Sequence, residues 1–200
     1  RLICEPGAVG EVSKLIREKR CSRAAVVTGG RSIRGKEAWS RLTESLLNER
    51  IDFVDFTVRG EPSPELVNRF REEVERDLPA CDIVVAIGGG SVIDAGKALA
   101  AALGIARAGA EPEIKRYLEV VGDRAPSGET LPLIAVPTTA GTGSEATKNA
   151  VLSSPGPNGF KKSLRHDNFV PIVAVLDPEL HIGAPVEVTR AGGLDAVTQL

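Results

Sequence analysis

Short apolar runs alternate along the chain with segments of helical periodicity. Five runs rich in β-branched residues are AAVVT (24–28), DFVDFTV (52–58), DIVVAI (82–87), PLIAVP (132–137) and IVAVLD (172–177). Most are continuously apolar, which is typical of parallel strands covered on both faces. The pattern therefore predicts a buried, mostly parallel sheet.

Two intervening segments place apolar residues at the spacing of one helix face. The segment 10–20 does so with Val12, Leu15 and Ile16, and the segment 38–50 with Trp39, Leu42, Leu46 and Leu47. The alternation of strand and helix predicts an α/β fold with a doubly wound sheet and right-handed crossovers.

The alternation weakens after Thr139. SSPGPNGF (153–160) is a turn cluster between NAVL and KKSLR, which predicts a β-hairpin or a long loop. The last stretch, 184–200, reads as a loop followed by the start of a helix. Because the sequence begins at Arg1 and stops within this helix, we expect it to be part of a longer protein.

Composition and charge argue against several classes of partner and site. The 200 residues are 42% hydrophobic with a formal net charge of -2, which favours neither nucleic acid nor an anionic membrane as partner. No apolar run is long enough to span a bilayer, and the first residues lack a signal-peptide pattern. The three scattered cysteines indicate neither a disulfide framework nor a cysteine metal site. We expect a soluble, cytoplasmic protein.

Three consecutive glycines, Gly88, Gly89 and Gly90, join a predicted strand to a predicted helix. Ligands bind beyond the carboxyl ends of strands in such sheets, and glycine backbone with a helix N-terminus suits a phosphate. A Walker A motif is excluded because Ala98 follows Gly-Lys, and a GxGxxG fingerprint is excluded by Ile93.

Ser91 and Asp94 form an S-x-x-D capping-box pattern, which we expect to begin the helix. That pattern does not explain the glycines, so a ligand remains the favoured interpretation.

A second polar loop follows the next strand, in PLIAVPTTAGTGSEAT (132–147). Thr138, Thr139, Thr142 and Ser144 supply hydroxyls, and small residues between them keep the loop thin. Alone, the loop could be a turn-rich connection. Together with the glycine turn it favours the phosphates and riboses of a dinucleotide, which need many short donors and acceptors.

These motifs carry a family resemblance. GGGSVIDAGKALA, PLIAVPTTAGTGSEAT, KKSLR followed by PIVAVLDPEL, and GGLDAVTQL occur in this order. The sequence resembles the iron-containing (group III) alcohol dehydrogenases over nearly its whole length. The resemblance implies a Rossmann-like dinucleotide-binding domain over residues 1–184, the beginning of an all-helical domain over 185–200, and a divalent metal, Fe²⁺ or Zn²⁺, between the domains.

The resemblance also implies roles for individual residues. The cofactor diphosphate would lie on Gly89, Gly90 and Ser91, with Asp94 beside it. Thr138, Thr139 and Thr142 would line the cofactor. Lys161 would lie near the nicotinamide ribose, with Lys162 as the alternative for that position.

The choice of cofactor is the least determined implication. Many NAD-using members carry an aspartate after the second strand, where this sequence has Gly29. A carboxylate would repel a 2′-phosphate, so its absence, with Arg31 and Arg34 nearby, favours NADP slightly over NAD. The two arginines are equally compatible with solvated surface positions.

The resemblance places the first two metal ligands in an Asp-x-x-x-His pattern, which falls on Asp195 and Gln199. Positions i and i+4 share a helix face, so both side chains could reach one ion. Imidazole is the better donor for iron or zinc, so Gln199 predicts weaker binding or a preference for harder ions. Without the resemblance, a helix N-cap would be the favoured interpretation of Asp195.

The predicted function is a metal-dependent, NAD(P)-dependent oxidoreductase that interconverts an alcohol and an aldehyde or ketone by hydride transfer. No residue is identified as a catalytic base. The alternatives are a related glycerol dehydrogenase or maleylacetate reductase, a nucleotide-binding protein without metal-dependent catalysis, which Gln199 motivates, and a purely structural domain. We expect a small-molecule substrate, no nucleic acid or membrane partner, and a homo-oligomer, a dimer formed through an early edge strand.

Overall fold

The structure is a computed structural model that describes residues 1–30 and 33–199. Its strands are β1 (Leu2–Cys4), β2 (Arg23–Gly29), β3 (Asp52–Val58), β4 (Ile83–Gly88), β5 (Leu133–Pro137), β6 (Asn149–Ser154), β7 (Phe160–Arg165) and β8 (Val173–Leu176). Its α-helices are α1 (Val12–Glu18), α2 (Glu37–Asn48), α3 (Pro64–Asp77), α4 (Gly90–Arg107) and α5 (Val186–Gln199).

Six strands form one sheet in the order β1-β8-β5-β4-β2-β3, and every neighbouring pair is parallel. Helices α1 and α2 pack on one face of this sheet, and α3 and α4 pack on the other. The antiparallel hairpin β6-β7 covers the outer side of α4. Because α4 lies between sheet and hairpin, most of its residues are buried, and Lys97 is the charged residue among those that are fully buried.

The strand order reverses beside β2. Its two neighbours are β3 and β4, and the helices that lead to these two strands lie on opposite faces of the sheet. In doubly wound sheets this reversal opens a crevice beyond the carboxyl ends of the strands. Gly29 and Gly88 end the two strands that border the crevice.

The predicted architecture is confirmed. All five predicted strands, the hairpin and the first two helices are present, while β1 and α3 were not predicted. Leu47 was assigned wrongly to the buried face of α2, since its side chain is 67% exposed. Leu42 and Leu46 lie one turn apart and fill that face, which leaves the position after Leu46 pointing away from the sheet.

No helix within residues 1–30 and 33–199 combines the length and the apolar character that crossing a membrane requires.

Candidate functional site

The glycine loop (residues 88–91) and the threonine loop (residues 138–144) lie against each other at the carboxyl ends of β4 and β5. A Cβ atom at Gly89 would lie 3.1 Å from Thr139 Oγ1, and one at Gly90 would lie 3.0 Å from Thr142 Oγ1. The backbone N–H of Thr138 donates to the Gly88 carbonyl oxygen. The absence of side chains at Gly89 and Gly90 therefore permits this close approach of the two loops.

Gly88 has a different reason to be glycine. A Cβ atom there would lie 2.6 Å from Val92 Cγ2, inside the first turn of α4. Packing of the helix against the end of β4 therefore accounts for Gly88 without a ligand, and a Cβ atom would point at the second loop only at Gly89 and Gly90.

The capping-box prediction is wrong. Helix α4 begins at Gly90 with Gly89 as its N-cap, and no side chain caps it. Ser91 therefore lies within the first turn, and Asp94 accepts hydrogen bonds from Ser144 Oγ and the backbone N–H of Val151 instead. The first backbone N–H groups of an uncapped helix have no intrahelical acceptor, so they are available to an anion at this end of α4.

Asp94 belongs to a buried polar network beneath the loops. Lys97 Nζ donates to Ser144 Oγ at 3.3 Å, to Thr147 Oγ1 at 3.0 Å and to the Asn149 carbonyl oxygen at 2.9 Å. The side chain of Lys97 is fully buried, and its ammonium lies 3.9 Å from Asp94 Oδ1. The network ties α4 to the threonine loop and to β6.

Burial moves both charged groups of this network toward their neutral forms. Desolvation raises the pKa of Asp94, although hydrogen bonds from Ser144 and the charge of Lys97 oppose the rise. Desolvation lowers the pKa of Lys97 to about 8, against the attraction of Asp94. With a pKa of about 8, the Lys97 ammonium is still mostly protonated at pH 7.

A cavity of about 420 Å³, called here the hairpin cavity, opens between the loops, the hairpin and α5. It brings together seven of the predicted site residues: Gly90, Ser91, Asp94, Thr142, Lys161, Asp195 and Gln199. Four further residues complete its wall: Ser144, Thr147, Asn149 and Val151.

Lys161 reaches the hairpin cavity from β7. Its ammonium forms an ion pair with Glu61, whose carboxylate also accepts from Ser153 Oγ. These contacts lower the pKa of the exposed Glu61 carboxyl. Lys162, the alternative to Lys161, does not line this cavity.

A second cavity of about 350 Å³ lies on the other side of the threonine loop. This apolar cavity is lined by Lys36, Thr138, Thr139, Leu180, Gly183, Ala184, Pro185 and Val188. The hydroxyl of Thr138 is buried and has no hydrogen-bond partner within the described residues. An unpartnered buried hydroxyl is costly, so a ligand that bonds it would be favoured here. The predicted threonines are thus divided between two cavities.

Helix α5 is held on the threonine loop by a glycine-to-glycine contact. Gly141 has a φ of 112°, and a Cβ atom there would lie 2.3 Å from the Gly192 carbonyl oxygen. A Cβ atom at Gly192 would lie 2.4 Å from the Ala140 carbonyl oxygen. Neither position accepts a larger residue, and the contact brings the second half of α5 to the hairpin cavity.

Asp195 and Gln199 lie on that half of α5. The alternative of Asp195 as an N-cap is wrong, since α5 begins at Val186. The two side chains offer a carboxylate and an amide oxygen to the same cavity. In the part of the chain that the structure describes, no cluster of three or more His, Cys, Asp and Glu residues could hold a metal ion. These two donors can therefore be only part of a metal site, because catalytic sites use about three protein ligands.

The preference for NADP is based on Gly29, Arg31 and Arg34, at the end of β2 and in the segment that follows it. Gly29 is the last residue of this strand. Arg34 forms an ion pair with Asp55, donates to Thr28 Oγ1 at 3.0 Å, and stacks over Trp39 at 5.0 Å from the ring centroid. Arg31 lies outside the described residues.

The sequence analysis missed two lysines. Lys97 follows Asp94 by three positions, and this spacing places both residues on one face of a helix. The spacing was therefore a usable signal for the buried network. Lys36 precedes α2 without any motif, and only the folded chain brings it beside Thr138.

The comparisons with known proteins agree with this geometry. The model of the family described as iron-containing alcohol dehydrogenase matches residues 1–178. Alcohol dehydrogenase 4 of Saccharomyces cerevisiae is 34% identical over 193 residues, which are 96% of this chain and 47% of that protein.

Two solved structures superpose closely on the chain. The NADH-dependent butanol dehydrogenase A of Thermotoga maritima has a TM-score of 0.87 at 25% identity, covering 99% of this chain and 47% of its own. The sulfoacetaldehyde reductase of Bifidobacterium kashiwanohense, solved in complex with NAD⁺, has a TM-score of 0.83 at 29% identity, covering 99% of this chain and 50% of its own.

The chain spans less than half the length of the curated relatives it matches. Even so, the family model covers residues 1–178, which is most of the chain. The chain belongs to the iron-containing alcohol dehydrogenase family.

Proposed function

We propose that the full-length protein is an NAD(P)-dependent, metal-dependent oxidoreductase that interconverts an alcohol and an aldehyde or ketone. The observation that carries the proposal is the pair of loops that separates two cavities of different character. The apolar cavity is lined by Thr138, whose buried hydroxyl has no hydrogen-bond partner within the described residues, and the hairpin cavity is lined by residues with carboxylate and amide oxygens. An extended ligand with one flat, apolar end and one reactive end matches this division.

The adenosine end of the dinucleotide is placed in the apolar cavity. Leu180, Pro185 and Val188 supply apolar walls for an adenine ring, and Thr138 supplies a hydroxyl for a ring or ribose atom. The diphosphate then crosses at Gly89, Gly90 and Ser91, where the uncapped start of α4 offers backbone N–H donors.

The nicotinamide end would be held in the hairpin cavity, whose lining residues include Lys161, proposed for the ribose, and Thr142. Bound nicotinamide supplies hydride exchange at its C4 atom with the carbinol carbon of the substrate. The chain's contribution is to orient the ring and to exclude water. Asp94 helps to hold the wall of the hairpin cavity in place, because it accepts hydrogen bonds from Ser144 and from the backbone amide of Val151. No catalytic base is assigned.

Asp195 and Gln199 are proposed as two of the metal ligands. They fit as oxygen donors on one helix face that line a single cavity. A divalent metal, when bound, polarises the substrate oxygen. The family name favours iron. Two oxygen donors equally admit Zn²⁺ or a harder ion, so metal identity is part of what the experiment must determine.

The slight preference for NADP stays a prediction. The absence of a carboxylate at Gly29 supports it, whereas Arg34 contributes less than expected because Asp55 neutralises its charge. The two solved relatives are named for NADH and NAD⁺.

The domain boundary, the oligomer and the location are also proposals. Helix α5 has no buried residue, and Leu194 and Val197 are 68% and 70% exposed. This supports a first domain over 1–184 and a second that begins with α5 and covers its apolar side chains. Strand β1 lies at one edge of the sheet, where a dimer partner could pair with it. A cytoplasmic location stays a prediction.

A nucleotide-binding protein without metal-dependent catalysis is the second candidate. Gln199 favours it, because an amide oxygen is a weaker ligand for iron than imidazole. The two candidates share the dinucleotide site and differ in turnover.

The test is a fluorescence titration of the full-length protein with NADH and NADPH, with and without Fe²⁺ or Zn²⁺, while oxidation is followed with a panel of short aldehydes. Binding with metal-dependent turnover supports the dehydrogenase. Binding without turnover under every metal supports the second candidate. Absence of binding refutes both.

The Gly90→Val variant tests the loop assignment directly. Its side chain would collide with Thr142, where a Cβ atom alone lies 3.0 Å from Oγ1. Opening the two loops should weaken dinucleotide binding by at least about tenfold. The matched control is Gly10→Val, because a Cβ atom at Gly10 has no heavy atom within 4 Å. Unchanged affinity in a folded Gly90→Val protein would refute the assignment.

A further inference from the structure

Lys36 stands at the rim of the apolar cavity, at the N-cap of α2. Its Nζ donates to the carbonyl oxygens of Leu180 at 2.9 Å and Ile182 at 2.7 Å. An ammonium has three N–H donors, so one is left after these two bonds. The side chain is thereby held at the cavity with an unused donor.

The charge of Lys36 is not neutralised by a neighbour. Both of its acceptors are backbone carbonyls, and the ion pairs within residues 1–30 and 33–199 do not include it. Among the described residues that line the apolar cavity there is no carboxylate. A negative group that enters the cavity would therefore meet the positive charge of Lys36 without a competing negative charge from these residues.

Arg34, two positions earlier, is in the opposite situation. Its guanidinium is paired with Asp55, bonded to Thr28 and stacked on Trp39. These three contacts direct it toward the edge strand β3, and it does not line the apolar cavity. It is therefore a poor candidate for recognising a cofactor phosphate, although its position in the sequence suggests that role.

We propose that Lys36 is the residue that distinguishes the adenosine 2′-phosphate from the 2′-hydroxyl, through a charge-assisted hydrogen bond from its third N–H. The proposal rests on the placement of the adenosine end in the apolar cavity. In dinucleotide-binding sheets of this kind, the adenosine 2′ position is read by residues that follow the second strand. Lys36 lies in the segment between β2 and α2 and lines the apolar cavity.

The test measures dissociation constants of NADPH and NADH for the full-length protein by nicotinamide fluorescence, in the wild type and in Lys36→Gln, Lys36→Arg and Arg34→Gln. A lost charge-assisted hydrogen bond corresponds to about a tenfold or larger change in affinity. Lys36→Gln should weaken NADPH by at least this factor and leave NADH within about twofold. Lys36→Arg should recover most of the NADPH affinity. Arg34→Gln should leave the ratio of the NADPH and NADH dissociation constants unchanged.

Other results overturn the inference in distinguishable ways. If Lys36→Gln weakens the binding of both cofactors by the same factor, Lys36 only links α2 to residues 180–182 and has no part in recognising the 2′-phosphate. A changed ratio in Arg34→Gln alone would transfer the role to Arg34. If neither NADPH nor NADH binds the wild type, the proposed function is refuted, and the inference that rests on it is refuted as well.

Discussion

Replacing Lys97 by methionine tests the buried network under the loops. Methionine keeps the approximate length of the side chain and removes the ammonium. In the folded protein burial lowers the pKa of Lys97 from 10.5 to about 8. Between these values the unfolded chain keeps its proton while the folded protein releases it, so the wild type gains stability as the pH rises. Each pKa unit is worth about 1.36 kcal/mol, which makes the gain about 3 kcal/mol over the interval.

The assay is urea unfolding of the full-length wild type and Lys97→Met between pH 7.5 and 10.5, followed by circular dichroism. The other titrating groups are common to the two proteins and, except for Asp94, whose pKa the Lys97 charge lowers, they cancel in the difference between the free energies of unfolding. We expect this difference to move in favour of the wild type by about 3 kcal/mol across the interval. A difference that stays constant with pH would refute the claim that the ammonium is held under a desolvation penalty.

Two further substitutions test contacts that fix the segments around the sheet. Asp177→Ala should cost about 3 kcal/mol of unfolding free energy, because the buried carboxylate accepts from three backbone amides. Two of these amides, at Gly7 and Val9, tie the segment before α1 to the end of β8. Faster hydrogen exchange of the Val9 amide would confirm the cause. Gly104→Ala should cost about 1–3 kcal/mol in the same assay, since its Cβ atom would lie 2.4 Å from the Thr130 backbone nitrogen, whereas Gly10→Ala should be nearly neutral.

The core of the fold was predictable because the strands are buried on both faces. Strand β4, for instance, has no exposed residue, so its sequence shows an uninterrupted apolar run. The strands at the two edges of the sheet behave differently. Strand β1 is three residues long and has two exposed positions, and nothing in LIC separates it from a loop. The run that forms β3 was recognisable only because it contains several β-branched and aromatic residues.

The site was predictable as two loops, and its internal arrangement was not. Thr138 and Thr142 belong to the same motif, yet one faces the apolar cavity and the other faces the hairpin cavity. The side on which each hydroxyl lies depends on the turn at Gly141, which has a φ of 112°. The residue type alone does not predict that angle, because glycine adopts many backbone conformations. Lys36 was missed for a related reason, since its acceptors are carbonyls about 145 positions away in the chain.

The failure of the capping-box interpretation shows why local motifs and tertiary contacts must be weighed together. Ser91 and Asp94 have the right spacing, but a cap at Ser91 would keep Gly90 out of the helix. Gly90 instead begins α4 and lies against Thr142. Asp94 then turns toward Ser144, and Ser144 accepts from Lys97. The start of α4 is left without a side-chain cap, which is the arrangement that lets an anion take the place of one.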